Sequence, residues 1–492
     1  MTGGFTKTAT QGAVAALAGL LLSSGSALAD GARGPALGGN CCADLEERIA
    51  ELEATTVRKG NRRVSLTLSG HVNRSLMYWN DGDQHDVYSV DNAIANSRFR
   101  MTGNAKLGTD VTVGFHMEFS MAIGARSHQV SQIDDDGFSG AGGILGGSAL
   151  GDGIGGAGDS VLDFNQANWY VDSKMMGRLT VGRLPTATAG IGIIDLSNTG
   201  IVANSQPFLW GGGMLLRSGA GTLATLTWSQ MCGGPTGATG AGAYSTDCGL
   251  HGLTRRDAVM YTTPTWQGFT FGGAFGEDDF WDVAGRYAGE WYGFRVAAGV
   301  GYRWYLDREP DLGFPTGGPF IDKFDDTRRQ HLLSSASIMH IATGLFISGT
   351  WNQYEFDGLN ANEIFDLNPN RSRPEVNLWW VGGGIEKNWF GIGGTTFYAE
   401  YGRVDDGITG LRAATAGIAP IGAAGVVIDS EMTWWGVGAV QKVDAAATDF
   451  YLAYRQYSAT IDMGNSSAAA AAQIPQGLED IWYIQAGARI QF

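Results

Sequence analysis

From Val64 onward the chain alternates apolar and polar positions with a period of two. In residues 97–107, Phe99, Met101, Ala105 and Leu107 share one face, while Arg98, Arg100, Thr102, Asn104 and Lys106 share the other. After a tight Gly108-Thr109-Asp110 turn, Val111, Val113, Phe115, Met117 and Phe119 alternate with Thr112, Gly114, His116, Glu118 and Ser120. The final segment sets Trp482, Ile484, Ala486, Ala488, Ile490 and Phe492 against Tyr483, Gln485, Gly487, Arg489 and Gln491. Period two means strands with one apolar face. A soluble sandwich would alternate in the same way. A membrane barrel is favoured because the segments run about ten residues, the length of a tilted bilayer-crossing strand. Short turns also alternate with long polar loops, and aromatics mark strand ends at Tyr78-Trp79, Trp304-Tyr305, Trp379-Trp380 and Trp434-Trp435, as interfacial girdles do. The pattern predicts an all-β antiparallel barrel. Eighteen strands can be parsed, two of them weak pieces near Met214–Arg217 and Thr222–Trp228. Without these there are sixteen, and either even number lets the last strand close on the first.

The chain opens differently. Residues 1–29 read as a secretory signal: Lys7, an apolar run from Ala13 to Leu22, and an Ala27-Leu28-Ala29 cleavage site. Residues 30–60 form a periplasmic linker in which Leu45, Ile49 and Leu52 follow heptad spacing. This short helix is either a stalk joining subunits or an amphipathic helix docked on the barrel mouth. The barrel itself is placed at 61–492. Turns 108–110, 291–293 and 444–447 are then periplasmic, and loops 80–95, 121–160, 306–326, 357–375, 405–431 and 459–479 face outward.

Composition supports strands and turns: 76 Gly and 12 Pro, with 15 Trp, 16 Tyr and 22 Phe in 492 residues. The net charge is −16, and removing Lys7 with the signal makes it −17, which argues against nucleic-acid binding. Export places the four cysteines in an oxidising compartment. Cys232 and Cys248 bracket a Gly-rich segment and are a disulfide candidate, whereas adjacent Cys41 and Cys42 either bridge subunits or stay reduced. No metal-ligand spacing and no G-x-S-x-G motif occurs, and the seven His lack patterned partners. No enzyme, metal or cofactor is expected. The acidic runs Asp134-Asp135-Asp136, Asp325-Asp326 and Asp405-Asp406 are hydrated loops or sites for divalent ions with lipopolysaccharide.

Particular segments resemble a known family. Residues 256–269, RDAVMYTTPTWQGF, are similar to the strand-turn signature of trimeric Gram-negative general porins, with Thr263 where Ser is usual. Arg178-Leu179-Thr180-Val181-Gly182-Arg183 resembles the strand leading into their constriction loop, and Ser97-Arg98-Phe99 their second-strand motif. Gln485, Gly487, Ile490 and Phe492 fit the C-terminal insertion signal read by the outer-membrane assembly machinery. Segments 276–284 and 395–402 look most like α-proteobacterial porins. The resemblance covers roughly 60–492. It implies sixteen strands and a homotrimeric outer-membrane channel for passive diffusion of small hydrophilic solutes and ions. It makes 184–253 a large loop 3 that narrows the pore, with the weak strands as a hairpin inside it and Cys232–Cys248 as its staple.

Alternation puts Arg98, Arg100, Arg256, Arg286, Arg295, Arg303, Arg455 and Arg489 on polar, lumen-facing positions, with Glu118, Asp282 and Glu400 as opposing acids. Arg183 aligns with the apolar Leu179 and Val181, so keeping the family's inward arginine requires the strand to end or bulge there. Asp195 is the one carboxylate in 184–213. The arginine excess implies anion preference, although each arginine could equally form a structural salt bridge. Arg74 falls on the lipid-facing set of its strand, and the resemblance places it at the trimer contact. Alternative readings are a carboxylate- or anion-selective porin and, from another class, an outer-membrane enzyme or adhesin.

Overall fold

The protein is described by a computed structural model over residues 64–121, 126–128, 130–132, 162–207, 210–219, 221, 223–232, 255–277, 279–307, 327–357, 375–409, 426–464 and 477–492. The signal, the heptad helix, Cys41, Cys42, Cys248 and the acidic runs at 134–136 and 325–326 lie outside the described residues.

Nineteen strands are described: β1 Ser65–Asn80, β2 His85–Asp91, β3 Arg98–Lys106, β4 Val111–Met121, β5 Leu162–Ser173, β6 Gly177–Pro185, β7 Leu215–Arg217, β8 Leu223–Thr227, β9 Arg255–Thr262, β10 Phe269–Gly276, β11 Trp281–Trp291, β12 Phe294–Asp307, β13 Thr327–His340, β14 Leu345–Asp357, β15 Val376–Lys387, β16 Thr395–Asp405, β17 Val426–Val443, β18 Thr448–Gly464 and β19 Ile481–Gln491. All but β7 and β8 form one antiparallel sheet, closed by pairing of β1 with β19. Closure satisfies every ladder and leaves no edge, as a hydrocarbon environment demands. β2 and β3 lie end to end along β1: Arg74–Asn80 pair with β2 and Ser65–His71 with β3. They make one stave, so the barrel has sixteen. The two weak segments form the separate β7–β8 hairpin between β6 and β9.

Tight turns join β3–β4, β5–β6, β9–β10, β11–β12, β13–β14, β15–β16 and β17–β18 at one end of the barrel. Loop 3, residues 186–254, starts from the other end. The region expected as an outward loop at 80–95 instead carries a strand, β2, over His85–Asp91. Residues 92–97 interrupt the second stave, and their carbonyls turn to inward side chains: Asn73 Nδ2 donates to Ala95 O (2.8 Å) and Arg98 Nη2 to Ile94 O (3.0 Å).

The outward faces are apolar and exposed, as Leu68, Val72 and Leu76 on β1 and Leu345, Ile347 and Trp351 on β14 show. This is the band that meets lipid. Trp379 and Trp435 pack outward, at tilted angles, against Tyr401 and Tyr454. Their neighbours Trp380 and Trp434 point inward and are buried. The Trp-Trp pairs are therefore half girdle and half interior, because successive side chains on a strand take opposite faces. Inside, Gly299 and Gly301 of β12 leave room for loop 3: a Cβ there would come within 2.7 Å of Ile191 and 2.8 Å of Thr188.

Gly344 ends the β13–β14 turn at φ +73°, where a Cβ would overlap the Glu386 carbonyl oxygen. Gly344→Ala combines a disfavoured backbone with a steric clash and should cost about 1–3 kcal/mol. It should lower the temperature at which the folded band is lost in heated gel samples, and an unchanged transition would refute this account of the turn.

Candidate functional site: the inner wall

Loop 3 follows the inner wall and is bonded to one strand after another. The Asp282 carboxylate of β11 accepts from Ala187 N (3.1 Å), Thr188 N (2.8 Å) and Thr188 Oγ1 (2.7 Å). Arg286 donates to Ala189 O (2.7 Å). On β13, Ser335 accepts from Ile194 N and Ser337 from Leu196 N. Thr350 of β14 donates to Gly192 O (2.8 Å) and Thr396 of β16 to Ser197 O (3.3 Å). Near the second stave, Asn92 donates to Ile201 O (2.7 Å). A buried loop must have its peptide groups satisfied, and the polar inward positions of these strands satisfy them.

Arg455 and Glu400 lie beneath this loop. Neither side chain is exposed, and they form a two-point ion pair, Nε to Oε1 and Nη2 to Oε2, each 2.8 Å. Trp380 Nε1 donates to Glu400 (2.8 Å), and Arg455 Nη1 donates to Gln206 O (3.1 Å). The guanidinium also lies 5.4 Å from the Trp210 ring centroid. Expected as a pore-lining residue, Arg455 is a tie between barrel and loop. Arg303 is similarly closed off, 1% exposed and 2.8 Å from His331 Nδ1.

A second tie holds the β7–β8 hairpin. Arg217, 3% exposed, bonds Asp81 (2.9 Å), Asp83 (3.3 Å), Gln84 (3.0 Å) and Gly221 O (2.7 Å). Gln132 bonds both Asp81 and the Leu215 backbone. Burial alone would raise the Asp81 carboxyl, but Arg217, the Gln84 amide and Gln132 outweigh it and hold it below its ordinary range. With a depressed folded value, this stabilisation is complete above the ordinary carboxylate range and is lost only as pH falls through the lower folded value. Nothing in the local sequence marked Arg217 or Asp81, since their partners are distant along the chain. Cys232, at the end of the described part of this insert, is disulfide-bonded.

Opposite lies a basic wall. Glu118, with no exposure, pairs with Arg98 (3.1 Å) and with Arg100, and Arg255 approaches to 3.8 Å. Asn165 adds a bond to Glu118 (3.0 Å). Three guanidinium groups thus surround one carboxylate, and Arg100 keeps 39% of its side chain exposed. Arg255 was not expected here. Counting alternation from Val259 and Tyr261 selects Arg256, which lies 5.0 Å from the Phe280 ring centroid. Arg255 is the first residue of β9, where the ladder constrains a side chain least. Beside this wall a cavity of about 610 Å³ is bordered by His116, Gln166, Asn168, Tyr170, Thr180 and Thr262 among others.

The remaining residues are dispersed. Arg183 makes no bulge: it opposes Ala167 and Asp257 one to one, and Asp257 lies 4.0 Å away. A cross-strand acid offsets its charge without an inward turn. Arg295 pairs with Glu290 (3.0 Å) beside the β11–β12 turn, and Arg489 with Asp449 (2.6 Å) beside the β17–β18 turn. The Asp195 carboxylate accepts from Ser197 N (2.8 Å) and Gly200 N (3.1 Å), so it organises its own turn. Arg74 faces outward and donates to Ser89 O and Oγ (3.2 Å each). Asp405 is paired with Arg403 (2.6 Å). At the seam Gln485 donates to Ser75 (2.6 Å), Gly487 lies against Ser75 and Tyr451, Ile490 is exposed, and Phe492 exchanges backbone hydrogen bonds with Gly70.

A sequence-family profile described as Gram-negative porin matches residues 13–462. Similar solved structures include an anion-selective porin from Comamonas acidovorans (14% identity, 87% of this chain, 100% of that chain, TM-score 0.48). Others are in-vitro folded OmpT of Vibrio cholerae (13% identity, 88% and 99%, TM-score 0.47) and Salmonella typhi OmpF in complex with daunomycin (12% identity, 88% and 99%, TM-score 0.47). No curated protein matches significantly.

Removing one partner of the Arg455–Glu400 pair strands a buried charge. Arg455→Met should destabilise the barrel by about 3–5 kcal/mol, and the double variant with Glu400→Leu should recover most of that loss. Denaturant titration checks both. A double variant no more stable than Arg455→Met would contradict the pairing.

Proposed function

This chain belongs to the Gram-negative porin family, passive outer-membrane channels for small hydrophilic solutes and ions, and we propose that its pore prefers anions and is narrowed by loop 3. The observation that carries the anion reading is the arginine cluster: Arg98, Arg100 and Arg255 around the single carboxylate of Glu118. The acids that could balance it are engaged elsewhere. Asp282 holds loop 3, Glu400 holds Arg455, and Asp195 closes its own turn. A net positive wall raises the local concentration of anions and lowers that of cations. Loop 3 narrows the path because its chain lies against inward strand faces. In this reading Cys232 pairs with Cys248 and staples the insert.

An outward arginine on the first strand supports assembly as a homotrimer. Arg74 lies on the outward face with Leu68, Val72 and Leu76, and an arginine toward lipid at mid-depth costs about 2–4 kcal/mol. A second copy covering this face removes that cost. The rest of the band meets outer-membrane lipid and, at the outer rim, lipopolysaccharide. The assembly machinery reads the terminal Gln485, Gly487, Ile490 and Phe492 pattern.

Reversal potential under a salt gradient tests the selectivity. The unaltered channel should favour chloride over potassium. Arg100→Gln and Arg255→Gln should each lower that preference about twofold, the effect of one charge at roughly 8 Å in water-like surroundings. A cation-selective wild type would overturn the anion reading. For the trimer, Arg74→Leu should lower the temperature at which the oligomer band dissociates in heated gel samples. Unchanged heat resistance would remove Arg74 from the contact.

A further inference from the structure

The inner face of the barrel differs sharply from one side to the other. On β14–β19 and β1 the inward side chains include many large aromatics closed to solvent. Tyr354, Trp380, Trp434, Tyr451, Tyr457 and Tyr483 are each 6% exposed or less. They form one apolar cluster with Val202, Trp210 and Met214 of loop 3. Tyr457 lies 5.9 Å from Trp228 of the insert and 5.8 Å from Tyr483, ring centroid to ring centroid. These contacts have the character of a protein core, which excludes water and ions. The buried Arg455–Glu400 pair sits within this half, fully satisfied by protein groups.

On β4, β5, β6, β9 and β10 the inward side chains are more mixed, with His116, Gln166, Asn168, Thr180 and Thr262 beside Tyr170, Leu184 and Met260. They border the cavity of about 610 Å³, where His116, Gln166, Asn168 and Thr262 are only partly buried. That cavity adjoins the arginine cluster, because Gln166 stands opposite Glu118 in the β4–β5 ladder.

The geometry points to a one-sided channel: solutes cross the barrel only along the wall of β3–β6, β9 and β10, while loop 3 and the inward aromatics make the β14–β19 half solid. Gln166 and Asn168 are then specificity-determining residues. Their amides offer both donors and acceptors to a solute directly beyond the arginines, whereas inward residues of β14–β18 meet no solute. The inference builds on the channel function but is independent of the ion preference, since a one-sided path could favour either sign.

Single cysteines test it in the full chain, with Cys41 and Cys42 replaced by Ser and the Cys232 disulfide retained. Gln166→Cys and Asn168→Cys probe the proposed path. Ser348→Cys and Ala453→Cys probe the packed side, where both native residues are small, inward and 2% exposed, so each side has a second variant if one fails to fold. The probe is a membrane-impermeant, sulfonate-bearing methanethiosulfonate, added to single channels in planar bilayers, with labelling read by mass spectrometry. Channels with cysteine at 166 or 168 should label and lose at least about a third of their conductance, because a bulky adduct narrows a confined path. Channels with cysteine at 348 or 453 should remain unlabelled and conduct as before. Labelling with conductance loss at 348 or 453 would overturn the one-sided path, as would the absence of labelling or of any conductance change at both 166 and 168.

Discussion

Enclosing a guanidinium and a carboxylate together, away from water, costs several kcal/mol per ion unless their polar atoms are matched. Arg455 and Glu400 meet that condition by bonding each other twice and by recruiting Trp380 and two loop 3 carbonyls. The pair is complete only when loop 3 lies over it, so wall and loop specify each other. Lifting Asn204 and Gln206 away would expose an arginine built to receive their carbonyls. Asp282 repeats the logic with opposite polarity: its carboxylate takes two loop amides and a hydroxyl that would otherwise be buried without partners.

A sixteen-stave barrel encloses more volume than its own inward side chains fill. In this porin the surplus is divided unequally. One side is occupied by loop 3 and its hairpin, tied at Arg455, at Arg217 and along β11–β16. On the other side the Arg98, Arg100 and Arg255 groups stand around Glu118, beside a cavity bordered by His116, Gln166 and Asn168 among others. The packed side gives the loop a fixed position, and the other side gathers three guanidinium groups around one carboxylate.

The strand faces were legible in the sequence because a period of two reports directly on which side of a sheet a residue lies; that period left sixteen or eighteen strands open, and the resemblance to porins was what pointed to sixteen staves with the hairpin inside loop 3. Alternation cannot say what covers that side. Arg100 and Arg455 carry the same sequence signal, inward on an alternating strand, yet one is partly open and the other has no exposure. The difference is made by Gln206 and Trp210, hundreds of residues from Arg455 along the chain. Trp380 and Trp434 illustrate the same limit: adjacent tryptophans suggest a girdle, but one of each pair must face inward. The break at residues 92–97 was hidden because Asn92 and Asp91 act through contacts with loop 3 and Ser97 rather than through a repeating pattern. At Arg183 the expected bulge rested on the cost of an outward charge, which Asp257 offsets instead.

If loop 3 is held by the wall and does not hang freely in the lumen, its amides must behave like those of the strands. Native-state hydrogen exchange of the folded protein in detergent measures this at Ala187, Thr188, Ile194 and Leu196, each of which donates to a wall side chain. The account predicts protection comparable to that of neighbouring strand amides, because they should exchange only when a cooperative unit of the barrel opens. Exchange at the rate of an unstructured loop, with the strands still protected, would contradict it.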